Sequence, residues 1–232
     1  MIPAGDAVLK INFPDEESER EADALAHWDG DGAVRLLGRD PQRRALLVER
    51  CRPGTQLWGI EEEAANHAAA ATLRRLWRPP PPDRRFRTLT DAAREWAASL
   101  PARWERHGRP CDKRLIERAV AFLAEAADGE SAVLHQDLHG GNILQAERGW
   151  LAIDPKPLTG EPAFDLASLL RDRRPEASGG RIRRRLDLLT AETGVDRERA
   201  REWGIAHALA WGLEPDRVHP LHIACAQWLA EP

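Results

Sequence analysis

The stretch VLHQDLHGGNIL, residues 133–144, constrains the fold more than any other part of this 232-residue chain. Two short aliphatic segments flank a loop with the spacing His135-x-Asp137-x-x-x-x-Asn142. Asp, Gly and Asn are ordinary turn formers, so a polar hairpin turn is one interpretation of this loop. The other interpretation is a catalytic loop held between two buried strands.

The next apolar segment decides between these interpretations, because Asp154 stands at the end of WLAID. A hairpin formed by NILQAERGWLAID would return Asp154 to the side of the loop. Phosphoryl transfer from a nucleotide needs a carboxylate that orients the acceptor hydroxyl and accepts its proton. It also needs an Asn and a second carboxylate that hold the magnesium ions. A chance turn does not explain Asp154, so the pattern favours a phosphotransferase site.

Two residues near the start of the chain add a phosphate-binding side. Lys10 lies in the apolar strand AVLKI, where its ammonium group needs a cleft and an anion unless the head is solvated at a sheet edge. Glu21 lies on the following helix and is a possible partner, although Glu17 or Glu19 would serve as well. The order lysine, glutamate, catalytic loop and metal aspartate is typical of kinases.

The remaining pattern predicts an α+β fold with two lobes. The first fifty residues read strand, helix, strand, strand, over 7–13, 15–30, 33–40 and 45–51. Helical patterns follow at about 61–77, 88–107 and 112–127, then the hairpin, then further helices to the C-terminus. Four prolines at 79–82 predict a stiff extended connector. We therefore predict a small nucleotide-binding lobe over residues 1–52 and a mostly helical catalytic and substrate-binding lobe over residues 53–232.

Composition and charge limit the classes of binding partner that we expect. A formal net charge of −4 argues mildly against a nucleic-acid partner and tolerates a cationic small substrate. The sequence has neither a long apolar run nor a signal-peptide core, so we expect no membrane partner. Cys51, Cys111 and Cys225 are scattered and predict no disulfide framework, which favours the cytoplasm. An unpaired strand edge in the small lobe would promote a homodimer.

Several residues remain open between a functional and a structural role. Lys156 is equally suited to a phosphate contact and to the surface. Trp203 and Trp211 are candidates for a substrate pocket, although the helix core is the more common place for such residues. Carboxylates that would surround an acceptor in the helical lobe, and that are more often solvated, are Glu202, Glu214 and Asp216.

The two central motifs, VLHQDLHGGNIL and LAIDPKPLTGEPAFDLASLL, resemble those of the aminoglycoside phosphotransferase family of antibiotic kinases. Within it, the chain is most similar to the streptomycin 6-kinase and hydroxyurea phosphotransferase branch. The segments AVLKI, EADALAHWDG and LLVERCRPGTQL are similar to the small-lobe segments of that branch, so the likeness covers nearly the whole chain. It implies a protein-kinase-like fold and transfer of phosphate from ATP, with Mg²⁺, to a small-molecule hydroxyl. The implied acceptor is an aminoglycoside such as streptomycin, with hydroxyurea or another small metabolite as the alternative.

The same resemblance implies a role for each candidate residue. The catalytic group is Asp137 as the base, with His135 shaping the loop. Asn142 and Asp154 are implied as metal ligands, with Asn142 also next to the nucleotide. Lys10 is implied to bind phosphate and Glu21 to orient Lys10. The stretch from Glu49 to Cys51 is implied as the hinge whose backbone meets adenine, and Asp165 as a brace for the catalytic loop.

One departure from the family pattern concerns the start of the chain. In the family, a hairpin that folds over the phosphates precedes the lysine strand, and MIPAGDA is similar only to the end of that hairpin. A lid of this kind aligns phosphates and excludes water. Either the sequence begins downstream of the lid or the protein lacks it. The alternative to an enzyme is then a catalytically impaired protein that binds a nucleotide or another ligand.

Overall fold

The computed structural model describes residues 2–13, 19–83, 86–125, 132–171 and 178–231. The chain forms two compact units. One comprises Met1–Phe86 and Ser131–Thr159, and the other comprises Arg87–Glu130 and Gly160–Pro232. The lobes predicted from the sequence are a functional division with a boundary at residue 52. These units do not test that division, which stays a prediction.

The first unit contains a four-stranded antiparallel sheet in the order β1-β2-β4-β3. Its strands are β1 (Ile2–Ala4), β2 (Ala7–Ile11), β3 (Leu36–Asp40) and β4 (Ala45–Glu49). The strands predicted at 7–13, 33–40 and 45–51 are therefore present. In the central pair, Lys10 lies opposite Leu46 and Ala7 lies opposite Glu49. This register places the lysine and the end of β4 on neighbouring strands.

Helix α1 (Glu21–Trp28) connects β2 and β3. Its buried face carries Glu21, Ala24, Leu25 and Trp28, which follow the helical period. The helix ends at Asp29, whose φ of 46° is left-handed, a common way to terminate a helix. The indole of Trp28 donates a 2.8 Å hydrogen bond to the Leu76 carbonyl and so anchors α1 within the unit.

A 3₁₀ turn (Leu57–Gly59), helix α2 (Glu62–Leu76) and four short strands complete the first unit. The strands are β6 (Ala132–Leu134), β7 (Ile143–Ala146), β8 (Gly149–Ala152) and β9 (Leu158–Gly160). The predicted hairpin is present as β7 and β8, in which Ile143 pairs with Ala152. The chain after Asp154 was expected to continue as helices. Instead β9 comes first and lies beside β6.

The second unit is mainly helical. It contains the two-residue strand β5 (Arg87–Thr88), a 3₁₀ turn (Pro162–Asp165) and six helices among the described residues. These are α3 (Leu89–Arg106), α4 (Lys113–Ala124), α5 (Leu166–Leu170), α6 (Gly179–Thr193), α7 (Arg197–Gly212) and α8 (Pro220–Ala230). The helices predicted at 88–107 and 112–127 correspond to α3 and α4. Across the residues that the structure describes, none of the helices is long and apolar enough to span a membrane.

Aromatic side chains fill the core of the second unit around α7. Trp203 is fully buried and meets Phe164 edge-on at 5.1 Å between ring centroids. Trp96 also meets Trp211 edge-on, at 5.1 Å. Edge-to-face pairs of this kind stabilise a core beyond the area that they bury. The core interpretation of these tryptophans is therefore the one that the packing favours.

Candidate active site

The loop between β6 and β7 folds into a series of tight turns. The Asp137 amide donates to the His135 carbonyl at 2.8 Å, and the Asn142 amide donates to the His139 carbonyl at 2.8 Å. Gln136 is buried and has a left-handed φ of 66°. Strained backbone of this kind is concentrated at functional sites. The turns bring Asn142 back towards Asp137.

Asn142 is oriented by a hydrogen bond across this loop. Its side-chain nitrogen Nδ2 donates to the Asp137 carbonyl at 2.9 Å. Because the nitrogen is used in this way, the amide oxygen Oδ1 is directed away from that carbonyl. The oxygen is the atom that a hard cation would bind.

The β7–β8 hairpin returns Asp154 to the loop, as the sequence predicted. The Ile153 amide donates to the Asn142 carbonyl at 2.9 Å, so the residue before Asp154 is bonded directly to the catalytic loop. Asp154 itself has a left-handed φ of 56° and precedes Pro155. An aspartate tolerates this conformation better than most residues, but a cost remains that the surrounding contacts must offset.

The buried side chain of His135 connects the loop between β6 and β7 to the residue before Asp154. Its Nε2–H donates to the Ile153 carbonyl at 2.9 Å, and its ring stacks on Trp28 with 6.2 Å between centroids. Burial lowers the pKa of His135 to about 4, although Asp137 nearby favours the charged form. The imidazole is therefore neutral near pH 7. Its hydrogen bond connects the loop to Ile153, and its loop-shaping role stays a prediction.

Lys10 and Glu21 form the predicted pair. The distances from Lys10 Nζ to the two Glu21 oxygens are 2.8 and 2.7 Å, and Asn12 Nδ2 donates to Glu21 Oε2 at 2.6 Å. Burial raises the pKa of Glu21, while Lys10 and Asn12 oppose that rise. Of the alternative partners, Glu19 is exposed and Glu17 lies outside the described residues.

Lys10 also links the sheet to the end of the β7–β8 hairpin, because its Nζ lies 3.0 Å from Asp154 Oδ1. Together these side chains line a polar cavity of about 310 Å³. The polar residues around this cavity are Lys10, Asn12, Glu21, Asp137, His139, Asn142, Asp154 and Lys156. The structure thus brings five predicted site residues and the open candidate Lys156 to one place.

A second cavity of about 240 Å³ lies next to the polar one, since Glu21 and Asp154 line both. Its apolar walls are formed by Val8, Val34, Val48, Leu144 and Ile153. The predicted hinge, Glu49 to Cys51, forms another part of its lining. A mostly apolar cavity with a few polar groups is the usual form of a small-ligand site.

The side chain of Glu49, in the predicted hinge, is held by Arg148, which the sequence interpretation missed. Arg148 donates from Nε and Nη2 to the two Glu49 oxygens at 2.8 and 2.6 Å, and its hydrogen bond keeps the pKa of Glu49 low. Burial, together with the charge of Glu49, raises the pKa of Cys51 to about 11. Cys51 is therefore a neutral thiol. An arginine in a short hairpin turn gives no signal in the sequence.

The donor set of the polar cavity fits Mg²⁺ bound together with a nucleotide. In the described part of the chain, no group of three or more His, Cys, Asp or Glu side chains is arranged to hold a metal. The predicted ligands are one carboxylate, Asp154, and one amide oxygen, from Asn142. Magnesium in phosphotransferase sites is typically held by one or two carboxylates, with phosphate and water oxygens completing the shell.

The other candidates lie in the second unit. Asp165 is buried in its 3₁₀ turn, and its bracing role stays a prediction. Glu202 is paired with Arg118, and Glu214 lies 3.3 Å from His219 Nε2. Asp216 is exposed. Nothing in these contacts supports an acceptor role for the last three carboxylates.

A lysine on a small antiparallel sheet is paired with a glutamate on the next helix, beside a loop and a hairpin that carry Asp137, Asn142 and Asp154. This is the arrangement of protein-kinase-like phosphotransferases. The fold agrees. A choline/ethanolamine kinase family protein from Mesorhizobium loti superimposes with a TM-score of 0.67 at 16% identity, covering 99% of this chain and 84% of that one. This likeness confirms the predicted fold class, α+β of the protein-kinase-like type.

The sequence comparisons then identify the family. The family model described as aminoglycoside/hydroxyurea antibiotic resistance kinase matches residues 3–216, and the chain belongs to this family. A hydroxyurea phosphotransferase from Kitasatospora aureofaciens is 41% identical over 92% of this chain and 64% of its own length. A streptomycin 6-kinase from Streptomyces glaucescens is 39% identical over 96% of this chain and 76% of its own length. The chain thus spans less than two thirds of the length of the hydroxyurea phosphotransferase. The family resemblance predicted from the motifs is confirmed.

Proposed function

We propose that this protein transfers the γ-phosphoryl group of ATP to a hydroxyl group of a small molecule. One observation carries the proposal: Lys10, Glu21, Asp137, Asn142 and Asp154 line one polar cavity, which adjoins an apolar cavity. Such a combination separates a place for a flat base from a place for phosphates. The family to which the chain belongs supports the same reaction class.

The nucleotide would lie across both cavities. Adenine fits the apolar cavity against the backbone of Glu49 to Cys51, and the phosphates fit the polar one, where Lys10 carries the positive charge. Glu21 keeps the Lys10 ammonium in position, and Asn142 and Asp154 would hold Mg²⁺ by their oxygen atoms. Bound there, Mg²⁺ offsets the negative charge of the phosphates.

Asp137 would act on the acceptor. Its carboxylate accepts the hydroxyl proton as the acceptor oxygen bonds to the γ-phosphorus, and the bond to the β-phosphate oxygen breaks to release ADP. Because little covalent chemistry falls to the protein, positioning and charge account for most of the catalysis. The bonds that fix the loop at His135 and Asn142 serve this positioning.

The acceptor that we propose first is an aminoglycoside such as streptomycin. Relatives named streptomycin 6-kinase support it, with 37% and 39% identity over almost the whole chain. The net charge of −4 also suits a cationic acceptor. Hydroxyurea is the second candidate, because the relative at 41% identity is named hydroxyurea phosphotransferase.

We further propose that the protein works in the cytoplasm, where ATP and a reducing environment are available. Its three cysteines, Cys51, Cys111 and Cys225, are free thiols. We expect neither nucleic acid nor membrane as a partner. A homodimer would form through an edge strand of the small sheet, β1 or β3.

The decisive test is a transfer screen with ATP labelled in the γ-phosphate. Streptomycin, other aminoglycosides and hydroxyurea are each incubated with the protein, and a known kinase with its own acceptor serves as the control. We expect labelled streptomycin or labelled hydroxyurea. If no acceptor is labelled while the control works, the proposed function is wrong.

A binding experiment probes the nucleotide site separately. We expect the wild-type protein to bind ATP with Mg²⁺, and Asp154→Ala to bind it at least about tenfold more weakly, because a metal ligand is lost. Equal binding by the two proteins would show that Asp154 is not a ligand. Absence of binding by both would overturn the kinase proposal.

A further inference from the structure

Trp58, on the 3₁₀ turn Leu57–Gly59, lies flat against the catalytic loop. Its indole stacks on the His139 imidazole with 4.8 Å between centroids and 7° between planes. The two glycines that follow His139 make this contact possible. A Cβ atom at Gly140 would lie 2.4 Å from Trp58 Cδ1, and one at Gly141 would lie 2.7 Å from Trp58 Cζ3. The sequence His-Gly-Gly is thus shaped to receive an aromatic ring.

The loop backbone also fixes the protonation pattern of the imidazole. The Gly141 amide donates to His139 Nδ1 at 3.1 Å, so Nδ1 must be an acceptor. The proton of the neutral ring is therefore on Nε2. His139 lines the polar cavity, and its Nε2 lies 3.9 Å from Asp137 Oδ2. Stacking and tautomer together direct an N–H group towards the side of the proposed base.

We propose that His139 is a positioning residue for phosphoryl transfer and that Trp58 holds it in place. The inference rests on the proposed function. A distance of 3.9 Å is too long for a hydrogen bond, but contacts around a general base are often long before the reactants bind and shorten in their complex. An N–H group on the side of the Asp137 carboxylate favours one orientation of its oxygens. That orientation is needed to accept the hydroxyl proton.

Two substitutions separate this role from simple packing of the loop. In His139→Asn, the amide oxygen can still accept from the Gly141 amide, but no N–H reaches Asp137. In His139→Gln, the longer side chain carries an N–H group towards the place of Nε2. A packing role is served better by Asn, whereas a positioning role is served better by Gln.

The experiment measures kcat and the KM for ATP with Mg²⁺ at one pH, using the acceptor found in the transfer screen. We expect His139→Asn to lower kcat by about 10- to 100-fold while KM changes less than about threefold, because orientation of the base is lost and nucleotide binding is not. We expect kcat of His139→Gln to be at least about fivefold higher than kcat of His139→Asn. Trp58→Leu, which removes the stacking ring, should lower kcat in the same direction as His139→Asn.

His67→Asn is the matched control. It makes the same chemical change at a half-exposed histidine of α2, and we expect kcat within about twofold of the wild type, as for most surface substitutions. Thermal unfolding of every variant identifies those that are misfolded. A wild-type kcat in folded His139→Asn would overturn the inference, and so would a His139→Gln variant no more active than His139→Asn. A parallel loss of ATP affinity and kcat in His139→Asn would assign the residue to loop packing instead.

The ring nitrogens give a readout that does not depend on turnover. Nitrogen NMR of the wild-type histidines should show the His139 proton on Nε2, and a proton on Nδ1 would overturn the inference alone. The proposed function fails differently, because a wild-type protein that labels no acceptor defeats both proposals. An active wild type with a fully active His139→Asn variant defeats only this one.

Discussion

Each of the two units contains a shielded carboxylate with a cationic partner, and the two pairs are built differently. In the second unit, Arg199 donates to both oxygens of Glu161 at 2.6 to 2.9 Å, and the Trp203 indole adds a bond at 2.7 Å. In the first unit, Lys10 is shared between Glu21 at 2.7 Å and Asp154 at 3.0 Å.

The difference follows from the chemistry of the two cations. A guanidinium group is a rigid fork that matches both oxygens of one carboxylate, so the Arg199 pair is saturated. An ammonium group is a compact point charge with three rotatable donors. It can therefore contact two carboxylates at once, and a phosphate can replace one of them. Lys10 also borders a cavity, whereas Arg199 lies over the rings of Phe122 and Trp203. A shared cation beside a cavity is therefore what we expect of a ligand-binding site, and a saturated pair is what we expect of a structural one.

The largest effect should come from Asp137, the carboxylate that we propose acts on the acceptor. We expect Asp137→Asn to lower kcat by about 10²- to 10⁴-fold, or about 3–5 kcal/mol of barrier, because the amide cannot accept the proton. Glu161→Gln is the control from the second unit and should change kcat by less than about threefold in folded protein. Initial-rate kinetics on both variants checks this. Equal losses of kcat would erase the functional distinction between the two units.

A second effect concerns His135, which lies in the site but acts as a structural group. Its pKa in the folded protein is about 4, below the ordinary 6.5, so the unfolded chain takes up the proton first as pH falls. The stabilising contribution is therefore complete above pH 6.5 and is lost between pH 6.5 and 4, and it amounts to about 3 kcal/mol. Urea unfolding of the wild type and of His135→Gln over this range checks it. Parallel pH curves for the two proteins would contradict the burial of a neutral imidazole.

Substitution of Lys10 should affect nucleotide binding, whereas substitution of Arg199 should affect stability. We expect Lys10→Met to weaken binding of ATP with Mg²⁺ by about 10- to 100-fold with little loss of stability, because Glu21 can take up a proton when its partner is removed. We expect Arg199→Met to lower the free energy of unfolding by about 2 kcal/mol, since it leaves Glu161 without its cation. Calorimetric binding and urea unfolding separate the two results. A reversed pattern would show that Lys10 is the structural cation.

The smallest effect should come from a surface ion pair of the first unit. Arg75 and Arg78 contact Asp31, and the hydrogen bond from Arg75 lowers the pKa of Asp31 below 3.8. Its contribution is present above pH 3.8 and is lost as pH falls through the lowered value. We expect Asp31→Asn to cost less than about 1 kcal/mol at pH 7 and less still at pH 2. Unfolding at the two pH values, in low and high salt, measures this. A larger loss of unfolding free energy would contradict our expectation that this surface ion pair contributes little to stability.

The elements and the central motif were predictable from sequence because they depend on neighbours in the chain. The β7–β8 hairpin follows from alternating residues around a turn, and the loop of Asp137 and Asn142 follows from its spacing. The choice of Glu21 over Glu17 or Glu19 was open at that level. A shift of one residue in a helix rotates a side chain by about 100°, and only packing of Ala24, Leu25 and Trp28 fixes which face is buried.

The sequence by itself determined the family, the fold class and the chemical inventory of the site, because motif spacing survives without knowledge of contacts. Only the tertiary structure decided which residues far apart in the sequence are in contact. It brought Lys10 to Asp154, Arg148 to Glu49 and Trp58 to His139. Such contacts depend on strand register and on how turns close, and those are set by burial of the whole unit and leave no local pattern.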